Sequence, residues 1–307
     1  MKGQVLFGIN NIYTVDVQGQ EMQCRIKGKV LKQEKRSYSP LAVGDYVEIH
    51  KDKFSDKVGW IIRREERRNF YSRWNRKKKV TQFIASNVDL LIIVTSPEYP
   101  PFRPRFIDRM LICAELGKIK PLILMNKCDL KIEMPAKKRL ADFQRIGYQV
   151  IFCSALTGQG IKKIKKLIKK KTVVFAGQSG VGKSSILNSI EPYLNLKVGE
   201  ISNKYDRGIH TTNFAVMIKI KGSYNVIDTP GIRELNVSNT EPQKLRFFFP
   251  EFLDYFDDCA YQSCVHIGEP DCAIKNAIKQ GKIHPDRYES YQKIYNDLVN
   301  INRLAYE

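Results

Sequence analysis

Residues 3 to 69 carry short apolar runs that predict β-strands. The runs are QVLFGI, IYTVDV, EMQCRI, DYVEIH and VGWIIRRE, and turn signals such as NN, QGQ and VGD separate them. Five short strands without a convincing helix favour a small barrel of the OB type. Barrels of this type often bind oligonucleotides, although a β module that only braces its neighbour fits the same pattern.

The pattern changes near residue 80, where continuous apolar runs begin to alternate with helical segments. The strand-like runs are VDLLIIV, PLILMNK, QVIFCSA, TVVFAG and YNVIDTPG, and the helical ones are FIDRMLICAELG, KKRLADFQRIG and IKKIKKLIKK. This alternation predicts a parallel sheet that is covered by helices on both faces. The last segment, RYESYQKIYNDLVNINRLAYE, again has a helical period.

The charge of the chain changes this picture by pointing to a polyanionic partner. The 307 residues include 52 Lys and Arg against 32 Asp and Glu, a formal net charge of +20. Residues 1–80 hold 19 basic and 9 acidic side chains, and residues 131–171 hold 12 and 2, so each segment contributes +10. The basic stretch 63–79 contains Phe70, Tyr71 and Trp74, which could stack on unpaired bases.

The second basic segment includes IKKIKKLIKK, for which two interpretations stay open. Its lysines could contact nucleic acid. Its apolar residues, however, share one helical stripe, which is equally typical of a packed helix with a solvated basic face; they are Ile161, Ile164, Leu167 and Ile168.

Composition also indicates a cytoplasmic protein. MKGQVLFGINNIY has neither the long apolar core nor the cleavage site of a signal peptide, and no apolar stretch approaches the ~20 residues that cross a bilayer. Seven cysteines, an odd number, fit a reducing compartment. We expect four of them to be packing residues; they are Cys24, Cys113, Cys128 and Cys153.

A glycine loop between TVVFAG and SILNSI carries the strongest chemical signal. It matches G-x-x-x-x-G-K-[ST], a motif whose backbone N–H groups surround phosphates. Lys183 is expected to reach the β and γ phosphates, and the Ser184 hydroxyl to ligate Mg²⁺. The expected phosphate-binding residues are Gly177, Gln178, Ser179, Gly180, Val181, Gly182, Lys183, Ser184 and Ser185.

DTPG at 228–231 fits a second phosphate-side motif. Asp228 ends an apolar strand, where its carboxylate can hold Mg²⁺ through water, and the Gly231 N–H can meet the γ-phosphate. Alone, the tetrapeptide could be an ordinary Pro-Gly turn. The pairing of Asp228 with Ser184 on one magnesium ion favours the catalytic interpretation.

Two further boxes predict that the nucleotide is GTP or GDP. NKCD comprises Asn126, Lys127, Cys128 and Asp129. Asn126 and Asp129 can hydrogen-bond the guanine edges, with the Asp129 carboxylate accepting from the N1 and N2 hydrogens. Adenine lacks this pair of donors. Ser154 and Ala155, which follow the strand QVIF, would complete the base pocket with a backbone N–H.

These boxes stand in an unusual order. In an ordinary GTPase the phosphate loop precedes the guanine box, whereas here it follows, so the usual order has been cut and rejoined. Because the sheet fixes where each strand ends, moving the chain termini leaves the pocket geometry unchanged. The rejoined chain also leads from DTPG directly into the segment beyond residue 240, so a change at the γ-phosphate can act on that segment.

That C-terminal segment contains CAYQSCVHIGEPDC, with the spacing C-x4-C-x-H-x5-C. Three thiolates and one imidazole can form a closed tetrahedral site for one zinc ion, and closed sites are structural. The predicted ligands are Cys259, Cys264, His266 and Cys272.

Together these motifs resemble the RsgA or YjeQ family of circularly permuted GTPases, over almost the entire chain. The resemblance rests on the OB-like front and on NKCD, SA, GQSGVGKSS, RGIHTT, DTPGIRE and DCAYQSCVHIGEPDCAIK. It implies GTP hydrolysis to GDP and phosphate that the small (30S) ribosomal subunit stimulates during late subunit maturation. It also implies that the OB and zinc domains contact 16S rRNA. Ile209 departs from the family, which more often has a basic residue there.

We therefore predict a multi-domain fold and a monomer without membrane contact. Residues 1–69 form an OB-fold RNA-binding barrel, residues 70–239 a circularly permuted α/β GTPase domain, and residues 240–307 an α-helical zinc-binding domain. An alternative function is a GTP-controlled rRNA-binding module in which hydrolysis is incidental.

The water-positioning group is not evident from the motifs. Ile232 stands after DTPG, where many GTPases have a glutamine, and an aliphatic side chain cannot orient water. His210 is the nearest polar substitute, although a lone loop histidine is usually only a surface residue. It precedes Thr211 and Thr212, one of which is expected to ligate Mg²⁺.

Overall fold

In the computed structural model, the described residues are 1–28, 31, 39–52, 57–75, 79–194, 215–220, 223–228, 237 and 240–306. Six residues discussed above, Ile209, His210, Thr211, Thr212, Gly231 and Ile232, lie outside these ranges.

The N-terminal strands close into a barrel in the order β1-β2-β3-β5-β4, with β3 parallel to β5 and β1 antiparallel to β4. Its interior holds side chains such as Val15, Cys24 and Ile61, which are 0% exposed. Buried and exposed residues alternate along β3 and β5, as expected when one face lines the core. The predicted five-stranded barrel is thereby confirmed, with strands β1 Lys2–Ile9, β2 Ile12–Val17, β3 Gln20–Ile26, β4 Tyr46–Lys51 and β5 Val58–Arg64.

An antiparallel hairpin, β6 Phe70–Asn75 and β7 Val80–Ser86, follows the barrel and was not predicted. Tyr71 is 0% exposed, and its hydroxyl lies 3.7 Å from the Met110 sulfur. The prediction that Tyr71 stacks on unpaired bases is therefore wrong, because the pleat of β6 turns this ring into the core. Phe70 is half-buried and packs edge-to-face against Phe83 at 5.0 Å.

The central sheet has six strands in the order β10-β9-β8-β11-β13-β12. Five are parallel, as predicted, but the edge strand β12 is antiparallel to β13. Its apolar run follows the switch motif and was not assigned as a strand. The bounds are β8 Leu90–Thr95, β9 Pro121–Met125, β10 Gln149–Phe152, β11 Thr172–Gly177, β12 Val216–Ile220 and β13 Tyr224–Asp228.

Helices cover both faces of this sheet. Successive β8 residues point to opposite faces: Ile93 belongs to the core that includes α1 and α2, and Ile92 to the core that includes α3 and α4. In α3 the isoleucines are buried and Lys162, Lys163 and Lys166 are exposed, so the packed-helix interpretation is confirmed and a nucleic-acid contact stays a prediction. The helices are α1 Pro104–Leu116, α2 Met134–Arg145, α3 Ile161–Ile168 and α4 Lys183–Ile190.

The C-terminal region is helical. Two 3₁₀ helices, Pro242–Phe248 and Pro250–Tyr255, precede α5 Ala273–Lys279 and α6 Pro285–Tyr306. Helix α6 packs against α1 and the first 3₁₀ helix. None of the helices in the described ranges is both long and apolar enough to cross a membrane.

Candidate nucleotide site and metal cluster

The nucleotide motifs meet at one edge of the sheet because the parallel strands end there in register. Phe152 lies opposite Met125, Met125 opposite Thr95, and Asp228 opposite Phe175, two residues before the glycine loop. The Ser-Ala box and NKCD therefore follow the neighbouring strands β10 and β9, and the loop follows β11, on the other side of β8. Ligands of open α/β sheets bind at such carboxyl edges, and the rejoined chain order leaves this arrangement intact.

Two glycines of the loop are required by close backbone packing. A Cβ atom on Gly177 would lie 2.4 Å from the Val94 carbonyl oxygen, and one on Gly182 would lie 2.3 Å from Asn126 Nδ2. Gly182 also has a φ of 92°, in the left-handed region, directly before α4. A side chain at either position would force the loop away from its neighbours.

The charged groups of the phosphate side are partly or fully buried. Lys183 Nζ donates to the carbonyl oxygens of Gly177 at 2.8 Å and Gln178 at 3.0 Å, so its ammonium group lies across the loop. Burial lowers the pKa of Lys183, and the nearby Asp228 carboxylate opposes this effect. Ser184 is 6% exposed and Asp228 4%. A lysine, a hydroxyl and a carboxylate at one strand edge fit a magnesium–phosphate group.

Asn126 connects three segments of the site. It is 1% exposed; its Nδ2 donates to the Val181 carbonyl oxygen at 2.9 Å, and its Oδ1 accepts from the Ala155 N–H at 3.1 Å. Both ends of the amide thus bond to backbone. The sequence motif assigns this amide to the guanine edge; the structure adds a bracing role between NKCD, the Ser-Ala box and the phosphate loop.

Asp129 is exposed, so its carboxylate is accessible to a ligand, and the Ser154 hydroxyl holds it in place. The buried Ser154 hydroxyl donates to Asp129 Oδ1 at 2.5 Å and accepts from the Thr157 N–H at 3.2 Å. The sequence motif indicated a backbone contact at Ser154–Ala155, and this role of the hydroxyl was missed. The signal that could have revealed it is the adjacency of β9 and β10, which brings the two boxes together.

A segment between β8 and α1, residues 96–103, lies beside the phosphate loop and was not predicted as part of the site. Lys127 Nζ donates to the Tyr99 carbonyl oxygen, and Ser96 Oγ donates to that of Pro100 at 2.9 Å. The hydrogen-bond partners of the Gln178 amide decide which of its two end atoms is the oxygen. In that orientation the oxygen accepts from Arg103 Nε at 3.2 Å and Nη1 at 3.1 Å. This segment therefore fixes both NKCD and the loop. Cys128 is half-buried, and its N–H donates to the Cys153 carbonyl oxygen at 3.0 Å.

The four predicted metal ligands form one cluster in the C-terminal region. Their ligand atoms all lie within 4.8 Å of one another, and His266 Nδ1 is 3.6 Å from Cys259 Sγ and 3.4 Å from Cys272 Sγ. Zn–S and Zn–N bonds in a tetrahedral site separate the ligand atoms by about 3.4–3.8 Å. The cluster therefore fits one zinc ion, and because Cys264, His266 and Cys272 are at most 2% exposed, the site is closed.

Hydrogen bonds hold the ligand loop in this shape. His266 has a φ of 62°, a left-handed conformation that is costly for a residue other than glycine. The Tyr288 hydroxyl donates to the His266 carbonyl oxygen and the Tyr291 hydroxyl to that of Val265, both at 2.6 Å. The Glu269 carboxylate accepts from three backbone N–H groups of the loop. Helix α6 thus supports the metal ligands.

Comparisons with known proteins place the whole chain in one family. A model of the RsgA GTPase matches residues 64–238, and a model of the RsgA N-terminal domain matches residues 2–61. The small ribosomal subunit biogenesis GTPase RsgA of Borrelia recurrentis is 41% identical over 306 residues, which cover 99% of this chain and 96% of that protein. Its namesake from Flavobacterium psychrophilum is 37% identical over 319 residues, covering 99% and 98%.

Solved structures agree with this assignment. YjeQ from Thermotoga maritima superposes with a TM-score of 0.74 at 31% identity and covers 97% of this chain and 98% of its own. YloQ, described as a circularly permuted GTPase, has a TM-score of 0.69 at 28% identity and covers 97% and 95%. The resemblance that the motifs indicated is confirmed, and the chain belongs to the RsgA GTPase family.

Proposed function

We propose that this protein hydrolyses GTP to GDP and phosphate in late maturation of the small (30S) ribosomal subunit, and that the subunit stimulates the reaction. The observation that carries the proposal is the convergence of the phosphate loop, NKCD, the Ser-Ala box and Asp228 on one sheet edge, braced by Asn126. The names of the relatives supply the process.

On the phosphate side, the backbone of the loop from Gly177 to Ser185 binds the phosphates and Lys183 contacts their oxygens. Ser184 and Asp228 hold Mg²⁺, which neutralises charge on the transferred phosphoryl group. The burial of both residues supports this role, because the attraction between a carboxylate and a cation is stronger in surroundings less polar than bulk water. Gly231 contributes a backbone N–H to the γ-phosphate.

On the base side, Asp129 reads guanine by accepting two hydrogen bonds from it. The hydroxyl of Ser154 fixes the carboxylate before the nucleotide arrives, which lowers the ordering cost of binding. Lys127, tied to Tyr99, and the backbone at Cys128 and Ala155 complete the pocket.

His210 orients or deprotonates the attacking water, since Ile232 cannot, and Thr211 or Thr212 completes the magnesium shell. Histidine is the most frequent general base of enzymes.

The protein acts as a monomer in the cytoplasm. It contacts 16S rRNA through the barrel and the zinc domain. The net charge of +20 supports a polyanionic partner. One zinc ion on Cys259, Cys264, His266 and Cys272 has a structural role, because a closed site leaves no position for a substrate.

Steady-state GTP turnover with and without purified small subunits tests this function. Stimulation by about a hundredfold or more, the scale on which correctly placed groups contribute to catalysis, is expected. Unstimulated turnover together with GTP-dependent subunit binding would instead support an rRNA-binding module in which hydrolysis is incidental, an interpretation that the aliphatic Ile232 favours.

A further inference from the structure

A row of exposed side chains crosses the outer face of the barrel. Strand pairing places Ile12 opposite Arg25, Arg25 opposite Trp60, and Trp60 opposite His50. All four are exposed. Directly opposed residues on neighbouring strands point to the same face, and strands lie ~4.8 Å apart, so the row is contiguous over about 14 Å across β2, β3, β5 and β4.

Trp60 at the centre of this row is not needed by the barrel core. Its chain neighbours Gly59 and Ile61 face inward and are buried, whereas Trp60 is 37% exposed. The indole Nε1 donates to Asp52 Oδ2 at 3.0 Å, which restricts the ring orientation. A large aromatic surface that is already oriented loses little conformational freedom when it binds a ligand.

The side chains beside Trp60 suit a nucleic acid. Arg25 lies on one side of Trp60 and His50 on the other, and Lys27, one residue beyond the end of β3, is also exposed. Residues 1–64, which span the barrel, hold 12 basic and 7 acidic side chains, a net charge of +5. An aromatic ring between a guanidinium group and an imidazole is typical of sites where a base stacks on the ring and the neighbouring phosphates pair with cations.

We propose that this row is a subsite for single-stranded RNA in which Trp60 stacks on one unpaired base, Arg25 contacts a neighbouring phosphate, and His50 donates to the same segment. The inference rests on the proposed function and names the barrel surface that serves it. Bases inside a duplex are closed to side-chain stacking, so the occupant is unpaired RNA rather than a helix.

Tryptophan fluorescence can test the stacking directly, because the chain contains only Trp60 and Trp74. A Trp74→Phe protein keeps Trp60 as its one indole, and a Trp60→Phe protein keeps Trp74. Titration with oligouridylate is expected to quench the first protein. Quenching confined to the second would place the stacking at Trp74, in the basic stretch 63–79, and would overturn the proposal. An RNA duplex of equal length should quench neither, since its bases are already stacked.

Affinity for the same labelled oligouridylate, measured by anisotropy, provides the second arm. Trp60→Ala should weaken binding about tenfold, the loss expected for one stacked base, while Trp60→Tyr should stay within about threefold. Arg25→Ala should weaken binding and lower the dependence on salt by about one counterion. The matched control is Tyr46→Ala: Tyr46 is 44% exposed on β4, about 13 Å along the strand from His50, and its removal should leave affinity unchanged.

Several outcomes would overturn the proposal. An unquenched Trp60, or equal losses for Trp60→Ala and Tyr46→Ala, would exclude stacking by this row. A Trp60→Ala protein that loses small-subunit binding but keeps oligouridylate binding would show that the row contacts a ribosomal protein. If small subunits fail to stimulate GTP turnover by the parent enzyme, the proposed function is contradicted instead. The fluorescence quenching is measured without subunits, so it tests the row independently of that result.

Discussion

Asp129 and Ser154 lie 25 positions apart in the chain, yet one short hydrogen bond makes them a unit. A hydrogen bond to a charged group contributes about 1.5–3 kcal/mol. The carboxylate therefore has a fixed position in which it can accept from guanine. In the proposed site, this placement would discriminate between bases, since a site with acceptors rejects a ligand that presents acceptors to it.

Replacing Asp129 with Asn should invert the base preference. Guanine presents donors to the carboxylate, whereas xanthine presents an acceptor that the NH₂ group of the introduced amide could satisfy. We expect GTP affinity to fall by about a hundredfold or more and xanthosine triphosphate affinity to rise, as measured by competition with a labelled nucleotide.

Ser154→Ala is the control for this substitution. It keeps the carboxylate but removes its hydrogen bond, so GTP should bind about tenfold more weakly without any gain for xanthosine triphosphate. Unchanged GTP affinity in Asp129→Asn would remove NKCD from the site.

His210→Ala should lower subunit-stimulated GTP turnover by about a hundredfold while scarcely changing GTP affinity, because NKCD and the phosphate loop remain intact. Single-turnover hydrolysis with purified subunits provides the measurement, and the GTP-bound complex with the subunit should persist longer. Lys183→Ala, in contrast, should weaken nucleotide binding itself. If His210→Ala hydrolyses GTP at the rate of the parent protein, the attacking water must be positioned by Thr211, Thr212 or a group of the ribosome.

At the scale of elements, patterns with a local cause were predictable. The apolar strands of the sheet and the glycine loop follow from short runs whose period or spacing is set within the run itself, such as TVVFAG before Gly177. The hairpin β6–β7 was missed because its strands interleave aromatic and basic residues, and only the pairing of Tyr71 with Ala85 shows which side is buried. Trp60 was overlooked because it lies within the apolar run VGWIIRRE, and only the strand pairing shows that its side chain is on the exposed face.

Contacts between distant elements were not predictable. The bracing by Asn126, the hydroxyl of Ser154 and the segment 96–103 depend on which strands become neighbours, and that is decided by the whole sheet. The predicted zinc ligands are the exception, because all four lie within fourteen residues and their spacing is itself the signal.

The zinc cluster should control the folding of the C-terminal elements. Metal analysis is expected to find about one zinc per chain, and Cys272→Ser should lower this content strongly and destabilise the C-terminal helices to proteolysis. Cys113→Ala, which alters a buried thiol outside the cluster, should keep the zinc. A metal-free protein with a fully folded C-terminal region would refute the assignment.

Across the whole molecule, one hydrophobic core joins the barrel side, the sheet and the C-terminal helices; its members include Leu6, Tyr71, Ile93, Phe249 and Tyr291. A buried ionic network crosses the same region. Asp108 of α1 accepts from Arg139 of α2 at 2.9 Å, from Arg287 of α6 at 2.9 Å, and from the Ser290 hydroxyl at 2.5 Å. This network connects the C-terminal helix α6 to helix α1, which begins directly after segment 96–103.

Arg287 is the central cation of that network. It is 0% exposed and also donates to Glu251 Oε1 at 2.6 Å. Although burial opposes its charge, Glu251 and Asp108 raise the pKa of Arg287 above its ordinary value. Both buried carboxylates therefore pair with the Arg287 guanidinium.

Arg287→Met should therefore leave two carboxylates buried with fewer partners, and we expect the free energy of unfolding to fall by about 3–5 kcal/mol, measured by urea denaturation. Adding Glu251→Gln, which neutralises one of these carboxylates, should recover part of the loss. Arg105→Met is the matched control, because Arg105 pairs with Glu289 between the same two helices but in solvent. Exposed pairs contribute little, so its stability should be almost that of the parent. Equal losses in Arg287→Met and Arg105→Met would mean that helix contact alone, rather than the buried charges, joins α6 to the GTPase domain.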